Sequence, residues 1–261
     1  MPPMRILVTN DDGILAPGIA ALARALRPLG EIDVAAPASG QSGAAHAITF
    51  MAPLIAERVA FGGDLTGWSV DGSPADSVKL AVRELCERPP DLVVSGINAG
   101  ANRGIDVIYS GTVAAAVEAA FIGIPSLAIS LQAGGGFDFE RAGTHARAIV
   151  ERAIELGIGP GTVLNVNLPS FERGEPKGVR IVPQSTAPWS DGYLRREDPR
   201  GRAYFWLTAE GDPGGMGQPD TDLGALHDGW ITITPLQYDL TQHAQLGWLR
   251  SAWPSDARGR D

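Results

Sequence analysis

The chain has 261 residues, which is enough for one large domain or for one domain with a smaller appendage. Its formal net charge of −9 has the wrong sign for nonspecific binding to nucleic acid, so we expect no nucleic-acid duplex as a partner. The single cysteine, Cys86, excludes an intrachain disulfide and a cluster of thiolate metal ligands.

The first 175 residues alternate between strand and helix patterns. Helices are predicted, from helical periodicity or from helix-start residues, at 17–26, 73–85, 111–122 and 139–156. A Gly62–Gly63 turn between two β-like pieces predicts a hairpin. Between the helices, short apolar runs have the composition of buried parallel strands, at 5–9, 31–36, 91–95, 125–131 and 162–167. This alternation predicts an α/β fold with a doubly wound, mostly parallel, Rossmann-like sheet.

The pattern changes after about residue 175. Strand candidates at 179–183, 203–207 and 230–234 are separated by loops rich in Gly, Pro and Asp, without long helices between them. We therefore predict a catalytic core over 1–175 and a C-terminal β-rich extension over 176–261, which serves oligomerisation and is not an independent domain. The N-terminus lacks a signal-peptide pattern and no segment reaches the roughly 18 apolar residues of a membrane helix, so we expect a cytoplasmic protein without membrane contact.

Three of the predicted strands are followed by loops that carry oxygen donors. The carboxyl ends of parallel strands meet at one edge of a sheet, so these loops are expected to converge. Adjacent carboxylates raise each other's pKa, and a hard divalent cation would offset that repulsion. The absence of clustered His or Cys argues against zinc. An alternative interpretation is that Asp11-Asp12-Gly13 is an ordinary turn made of good turn formers and binds no metal. The donors lie in the loops Asn10–Gly13, Ser39–Ser42 and Asn98–Asn102.

A second candidate feature is the segment Tyr109–Val113, which precedes an Ala-rich helix. Hydroxyls and free N–H groups at a helix N-terminus can bind a phosphate, although an isolated Ser-Gly-Thr is more often an ordinary N-cap. The sequence has no Walker loop, no Gly-x-Gly-x-x-Gly turn after the first strand and no Gly-x-Ser-x-Gly elbow. These absences disfavour nucleoside triphosphates, dinucleotides and serine-hydrolase chemistry.

Taken together, the segments resemble the SurE (survival protein E) nucleotidase family. The resemblance follows the chain in order over most of its length, which makes the set much more specific than any one piece. The matching segments are Ile6–Gly13, Ala16–Ile19, Ala36–Pro37, Ser42–Gly43, Gly72–Asp76, Val94–Gly100, Asp106–Ala116, Asp220–Asp222 and Ile231–Leu236.

The resemblance implies one divalent metal ion, Mg²⁺ or Mn²⁺, and hydrolysis of nucleoside 5′- and 3′-monophosphates by homodimers or homotetramers. The implied metal ligands are Asp11, Asp12, Ser42 and Asn98, of which Asp11, Asp12 and Asn98 are also the implied catalytic residues. The implied substrate- and phosphate-binding residues are Asn10, Gly43, Asn102, Ser110, Gly111 and Thr112.

The expected chemistry is metal-assisted hydrolysis of a phosphomonoester, with Asp11 combining ligation and orientation of the attacking water. Covalent attack by an aspartate, as in the haloacid-dehalogenase-like phosphatases with their Asp-x-Asp arrangement, fits adjacent aspartates less well. Two other functions stay open: a noncatalytic nucleotide- or metal-binding module, and a broad phosphatase acting on polyphosphate or other phosphomonoesters. Departures from the family pattern at Leu15 and at 38–41 leave substrate preference open.

Overall fold

The computed structural model describes residues 3–187, 191–209 and 218–253. The helices are α1 (Pro17–Leu26), α2 (Pro74–Leu80), α3 (Asp106–Tyr109), α4 (Gly111–Phe121), α5 (Phe139–Glu155), α6 (Asp222–His227) and α7 (His243–Ala252). The strands are β1 (Arg5–Thr9), β2 (Glu31–Pro37), β3 (Ala56–Phe61), β4 (Leu65–Val70), β5 (Leu92–Ala99), β6 (Ser126–Leu131), β7 (Val163–Leu168), β8 (Val179–Ile181), β9 (Asp191–Glu197), β10 (Ala203–Ala209) and β11 (Ile231–Leu236).

Nine strands form one sheet in the order β3-β4-β2-β1-β5-β6-β7-β11-β8. The six strands from β4 to β7 are mutually parallel, whereas β3 and β11 run antiparallel to their neighbours β4 and β7. From β1 the chain passes to β2 on one side and later returns to β5 on the other side. The strand order therefore reverses between β1 and β5, where open α/β sheets bind their ligands.

Helices cover both faces of the central strands, which explains why every residue of β1 and β6 is buried and why most of their side chains are apolar. Successive side chains of a strand point to opposite faces. Ile6 and Val8 of β1 accordingly pack in the cluster formed by α1 and α5, and Leu7 packs with α2 and α4. These two layers confirm the predicted doubly wound α/β architecture.

The predicted hairpin around Gly62 and Gly63 is confirmed as β3–β4, and β4 in addition pairs with β2 in parallel. The predicted helix start at Ser73 is also confirmed. The Ser73 hydroxyl accepts a hydrogen bond from the Asp76 N–H (3.0 Å), and the Asp76 carboxylate accepts one from the Ser73 N–H (3.0 Å). This capping box fixes the start of α2.

The predicted extension contributes strands to the large sheet. β11 pairs with β7, and β8 pairs with β11 at the sheet edge, so the sheet takes strands from both sides of residue 175. The other two strands, β9 and β10, form a separate two-stranded hairpin. The sequence patterns did not predict β9, α6 or α7. In the described ranges, no helix is long and apolar enough to cross a membrane.

Candidate active site

A cavity of about 710 Å³ opens at the carboxyl ends of β1 and β5. The loop after β2, the turn before α4 and two residues of the β9–β10 hairpin, Tyr193 and Leu207, also line it. Seven of the ten predicted site residues line this cavity, namely Asp11, Asp12, Ser42, Gly43, Asn98, Asn102 and Ser110. The remaining three, Asn10, Gly111 and Thr112, lie outside its lining.

Asp11 is an almost buried carboxylate at the cavity wall, with 5% of its surface exposed. The Thr112 hydroxyl of α4 donates a short hydrogen bond to its Oδ1. Burial raises the pKa of the Asp11 carboxyl and the neighbouring Asp12 charge raises it further, while the Thr112 hydrogen bond opposes both effects. A nearby positive charge would stabilise the ionised form of a carboxyl group buried in this way.

Gly111 allows the N-terminus of α4 to approach Asp11 closely. A Cβ atom at Gly111 would lie 2.8 Å from the Asp11 Cβ and 3.0 Å from its Oδ2. Ser110 is the N-cap of α4, since its Oγ accepts a hydrogen bond from the Val113 N–H (3.1 Å). The three residues of the predicted phosphate turn therefore have different positions. Ser110 lines the cavity, whereas Gly111 and Thr112 lie outside the lining and contact Asp11.

Asp12 connects the loops that follow β1 and β5. Its Oδ2 accepts a hydrogen bond from the backbone N–H of Ala99, at 3.1 Å. The side chain of Asn98 donates from Nδ2 to the Gly100 carbonyl (2.8 Å), so the amide presents Oδ1 as its acceptor for a ligand. These contacts orient oxygen donors from both strands toward the same space.

Asn102 is tied to the neighbouring strands through its backbone and its side chain. Its N–H donates to the Asn167 Oδ1 (2.8 Å), and its carbonyl accepts from Nδ2 of Asn165 (2.7 Å) and of Asn167 (2.9 Å). The Asn102 Nδ2 donates to the Ser130 Oγ (2.8 Å) and keeps a second hydrogen. The buried polar side chains of β6 and β7 therefore fix the position of Asn102 at the cavity.

Asn10 shapes the turn that carries the two aspartates. It is fully buried, and its Nδ2 donates to the carbonyl of Gly13 at 2.9 Å. Gly13 has φ +98°, a conformation that residues with a side chain rarely adopt. Asn10 therefore acts on the loop and does not contact the cavity.

The donor set fits a hard cation. Within the ranges that the structure describes, no three His, Cys, Asp or Glu side chains cluster closely enough to hold a metal ion. A cation at this wall would therefore combine the two carboxylates with hydroxyl and amide oxygens, which is the chemistry that Mg²⁺ and Mn²⁺ accept. The nearly buried Asp11 carboxylate beside Asp12 at the cavity wall is the feature that favours such a cation, since the cation would neutralise both charges.

The family model that matches this chain is that of Survival protein SurE, over residues 6–191. The chain belongs to the SurE family. The matched range contains every predicted metal-ligand and phosphate residue. Within this family, the 5′-nucleotidase SurE of Moorella thermoacetica is 46% identical over 96% of this chain and 98% of the relative. The 5′-nucleotidase SurE of Rhodopirellula baltica is 45% identical over 92% of this chain and 94% of the relative.

The SurE fold is also shared by a solved structure. The crystal structure of the SurE protein from Aquifex aeolicus superposes with a TM-score of 0.83 at 37% identity, covering 95% of this chain and 99% of that chain. The fold predicted from the alternating patterns is thus the SurE fold.

The sequence patterns did not single out two acidic residues around this SurE site. Asp106 lines the cavity, and burial raises its pKa to about 6, with Asp222 adding to the effect and Arg103 opposing it. Asp222 is fully buried and accepts hydrogen bonds from the N–H groups of Gly104 and Ser185, both at 2.8 Å. Both lie within matched family segments, but their chemistry depends on contacts between distant parts of the chain.

Proposed function

We propose that this chain is a divalent-metal-dependent nucleotidase that hydrolyses nucleoside 5′-monophosphates, and also 3′-monophosphates, to nucleoside and phosphate. The single observation that carries the proposal is the shared cavity of Asp11, Asp12, Ser42 and Asn98 at the point where the strand order reverses. The names of the SurE relatives support the substrate class.

In the proposed site, Asp11, Asp12, Ser42 and Asn98 would hold one Mg²⁺ or Mn²⁺ ion. When bound, such a cation supplies positive charge to the phosphate oxygens and makes water more acidic. This assignment gives the nearly buried Asp11 carboxylate a counter-charge.

The protein's own groups would position the reacting phosphate and the water. The Ser110 hydroxyl and the remaining Asn102 Nδ2 hydrogen donate to phosphate oxygens, because both residues line the cavity beside the carboxylates. Asp11 orients the attacking water, and Thr112 keeps its carboxylate in place through the hydrogen bond to Oδ1. Hydrolysis by direct attack of water predicts inversion at a chiral phosphorothioate, whereas covalent attack by an aspartate predicts retention.

The test is phosphate release from a panel of nucleoside 5′- and 3′-monophosphates, polyphosphate and sugar phosphates, with Mg²⁺ or Mn²⁺. We expect release that a chelator abolishes and that Asp12→Asn reduces at least a hundredfold. Asp64→Asn is the matched control, because Asp64 forms only exposed ion pairs with Arg24 and Arg27 among the described residues. Release from no phosphomonoester would support a noncatalytic binding module, and a preference for polyphosphate would support a broader phosphatase.

We also propose that the chain acts as a homodimer or homotetramer. The β9–β10 hairpin exposes large apolar side chains on both of its faces, and α7 has no buried residue. Exposed apolar area of this kind favours association. Light scattering on the purified protein gives the subunit number, and a monomer at micromolar concentration would contradict this part of the proposal.

A further inference from the structure

The lining of the site cavity combines two kinds of side chain. The polar part consists of carboxylate, hydroxyl and amide groups, where the phosphate is proposed to bind. The apolar part consists of aliphatic and aromatic side chains, namely Ile105, Tyr109, Tyr193 and Leu207. A volume of about 710 Å³ is large for a phosphate ion and is typical of a site for a whole small molecule.

Two of these apolar side chains come from the β9–β10 hairpin. Tyr193 and Leu207 are directly paired across the two strands, so their side chains lie next to each other on one face. Tyr193 is 71% exposed and Leu207 is 61% exposed, although both line the cavity. An aromatic ring held on a strand pair at a cavity mouth can stack on a planar ligand at little cost in conformational entropy.

The hairpin also provides an internal comparison. Side chains alternate between its faces, so Tyr204, which pairs with Arg196, lies on the face opposite to Tyr193. Tyr204 is 40% exposed and is not part of the cavity lining. The two tyrosines therefore share a residue type and a hairpin but differ in whether they reach the site.

We propose that Tyr193, supported by Leu207, binds the base of the nucleotide by stacking, while the polar part of the same cavity lining binds the phosphate. The inference rests on the proposed nucleotidase function and deepens it, because it assigns a base-binding subsite to the hairpin. Every base has a π-face, so stacking on Tyr193 tolerates purines and pyrimidines alike. The subsite thus selects phosphomonoesters that carry a planar ring and does not read hydrogen-bonding edges.

The experiment compares AMP and CMP with ribose 5-phosphate, which keeps the sugar and phosphate but lacks the base. In the full chain with Mn²⁺, Tyr193→Ala is expected to raise KM for both nucleotides roughly tenfold, as loss of one base–aromatic stack predicts. The kcat values and the KM for ribose 5-phosphate are expected to stay within about twofold of the unmodified enzyme, because the polar part of the lining is unchanged. Tyr193→Phe keeps the ring and is expected to behave like the unmodified enzyme.

Tyr204→Ala is the matched control and is expected to leave KM for all three substrates unchanged. Size-exclusion chromatography of each variant separates an effect on assembly from an effect on base binding. An equal rise in KM for nucleotides and ribose 5-phosphate in Tyr193→Ala, or no rise for either, would overturn the base-binding subsite.

A failure of the nucleotidase proposal is distinguishable from a failure of this one. If the unmodified chain releases no phosphate, calorimetric titration with AMP and ribose 5-phosphate replaces the kinetic assay. Weaker AMP binding in Tyr193→Ala, with unchanged binding in Tyr204→Ala, then supports the subsite. Equal AMP affinity in the unmodified chain and Tyr193→Ala refutes it.

Discussion

Gly111→Ala tests whether close contact between α4 and Asp11 controls the geometry of the site. In most helices this change stabilises the folded state by about 0.4–1 kcal/mol, because alanine restricts the unfolded chain. Here the new Cβ would lie 2.8 Å from the Asp11 Cβ, whereas ordinary contacts begin at 3.4 Å. Asp11 and the helix would therefore have to separate by about 0.6 Å, the difference between these two distances.

The size of the effect follows from that displacement. Overpacking a close contact costs about 1–3 kcal/mol, so the net result is a loss of about 1–2 kcal/mol in the free energy of unfolding. For a chain of this length the midpoint of thermal unfolding would fall by about 3–6 °C. Displacement of catalytic groups by about 1 Å costs on the order of a hundredfold in rate, so we expect kcat/KM for AMP to fall between tenfold and a hundredfold.

Calorimetry and a phosphate-release assay measure the two quantities on the same preparation. Gly247→Ala is the matched control, because Gly247 is also helical but a Cβ there meets no atom within 4 Å. It is expected to leave kcat/KM unchanged. A Gly111→Ala variant with full activity and a raised unfolding temperature would refute the argument, since it would show that the helix adapts without moving Asp11.

Three further predictions concern the charged groups around the site. Thr112→Val removes the hydrogen bond that lowers the pKa of Asp11. We therefore expect the acidic limb of the pH–rate profile to move to higher pH, and kcat/KM at pH 7 to fall about tenfold. An unchanged pH–rate profile would contradict this prediction. Asp106 has a folded-state pKa raised from 3.8 to about 6, so its contribution to the free energy of unfolding decreases as pH rises from about 4 to 6. After allowance for solvent screening the decrease is about 1 kcal/mol, and in urea unfolding the fall in stability between these pH values should be smaller by this amount in Asp106→Asn than in the unmodified chain. Asp222→Ala leaves the buried N–H groups of Gly104 and Ser185 without their acceptor. Urea titrations should therefore show a free energy of unfolding that is lower by about 3 kcal/mol. Asp222→Asn should show a smaller loss.

The parts of the fold that sequence could predict are those specified by local pattern. The segment Arg5–Thr9 has an apolar centre, Ile6–Val8, and is followed at once by turn residues, which is enough to predict β1 and to place Asp11 and Asp12 just after its end. The helix start at Ser73 likewise depends on a residue and its neighbours within one turn. Such features survive in the structure because tertiary contacts reinforce them.

Other features depend on contacts between distant residues. β11 lies next to β7 although about 60 residues separate them in the chain, and short strands give no local indication of their partners. The hydrogen bond from Gly104 to Asp222 joins residues 118 positions apart. Thr112 contacts Asp11 and does not line the cavity. This placement depends on the close approach of α4 to Asp11, which is possible because residue 111 is glycine.

The anchoring of Asn102 has a consequence for how the protein responds to heat. Its hydrogen bonds run to Ser130 on β6 and to Asn165 and Asn167 on β7, so this part of the cavity wall is anchored to the interior of the sheet. Local opening that releases Asn102 therefore has to break hydrogen bonds to two interior strands of the sheet. We expect thermal loss of this part of the site to coincide with melting of the sheet.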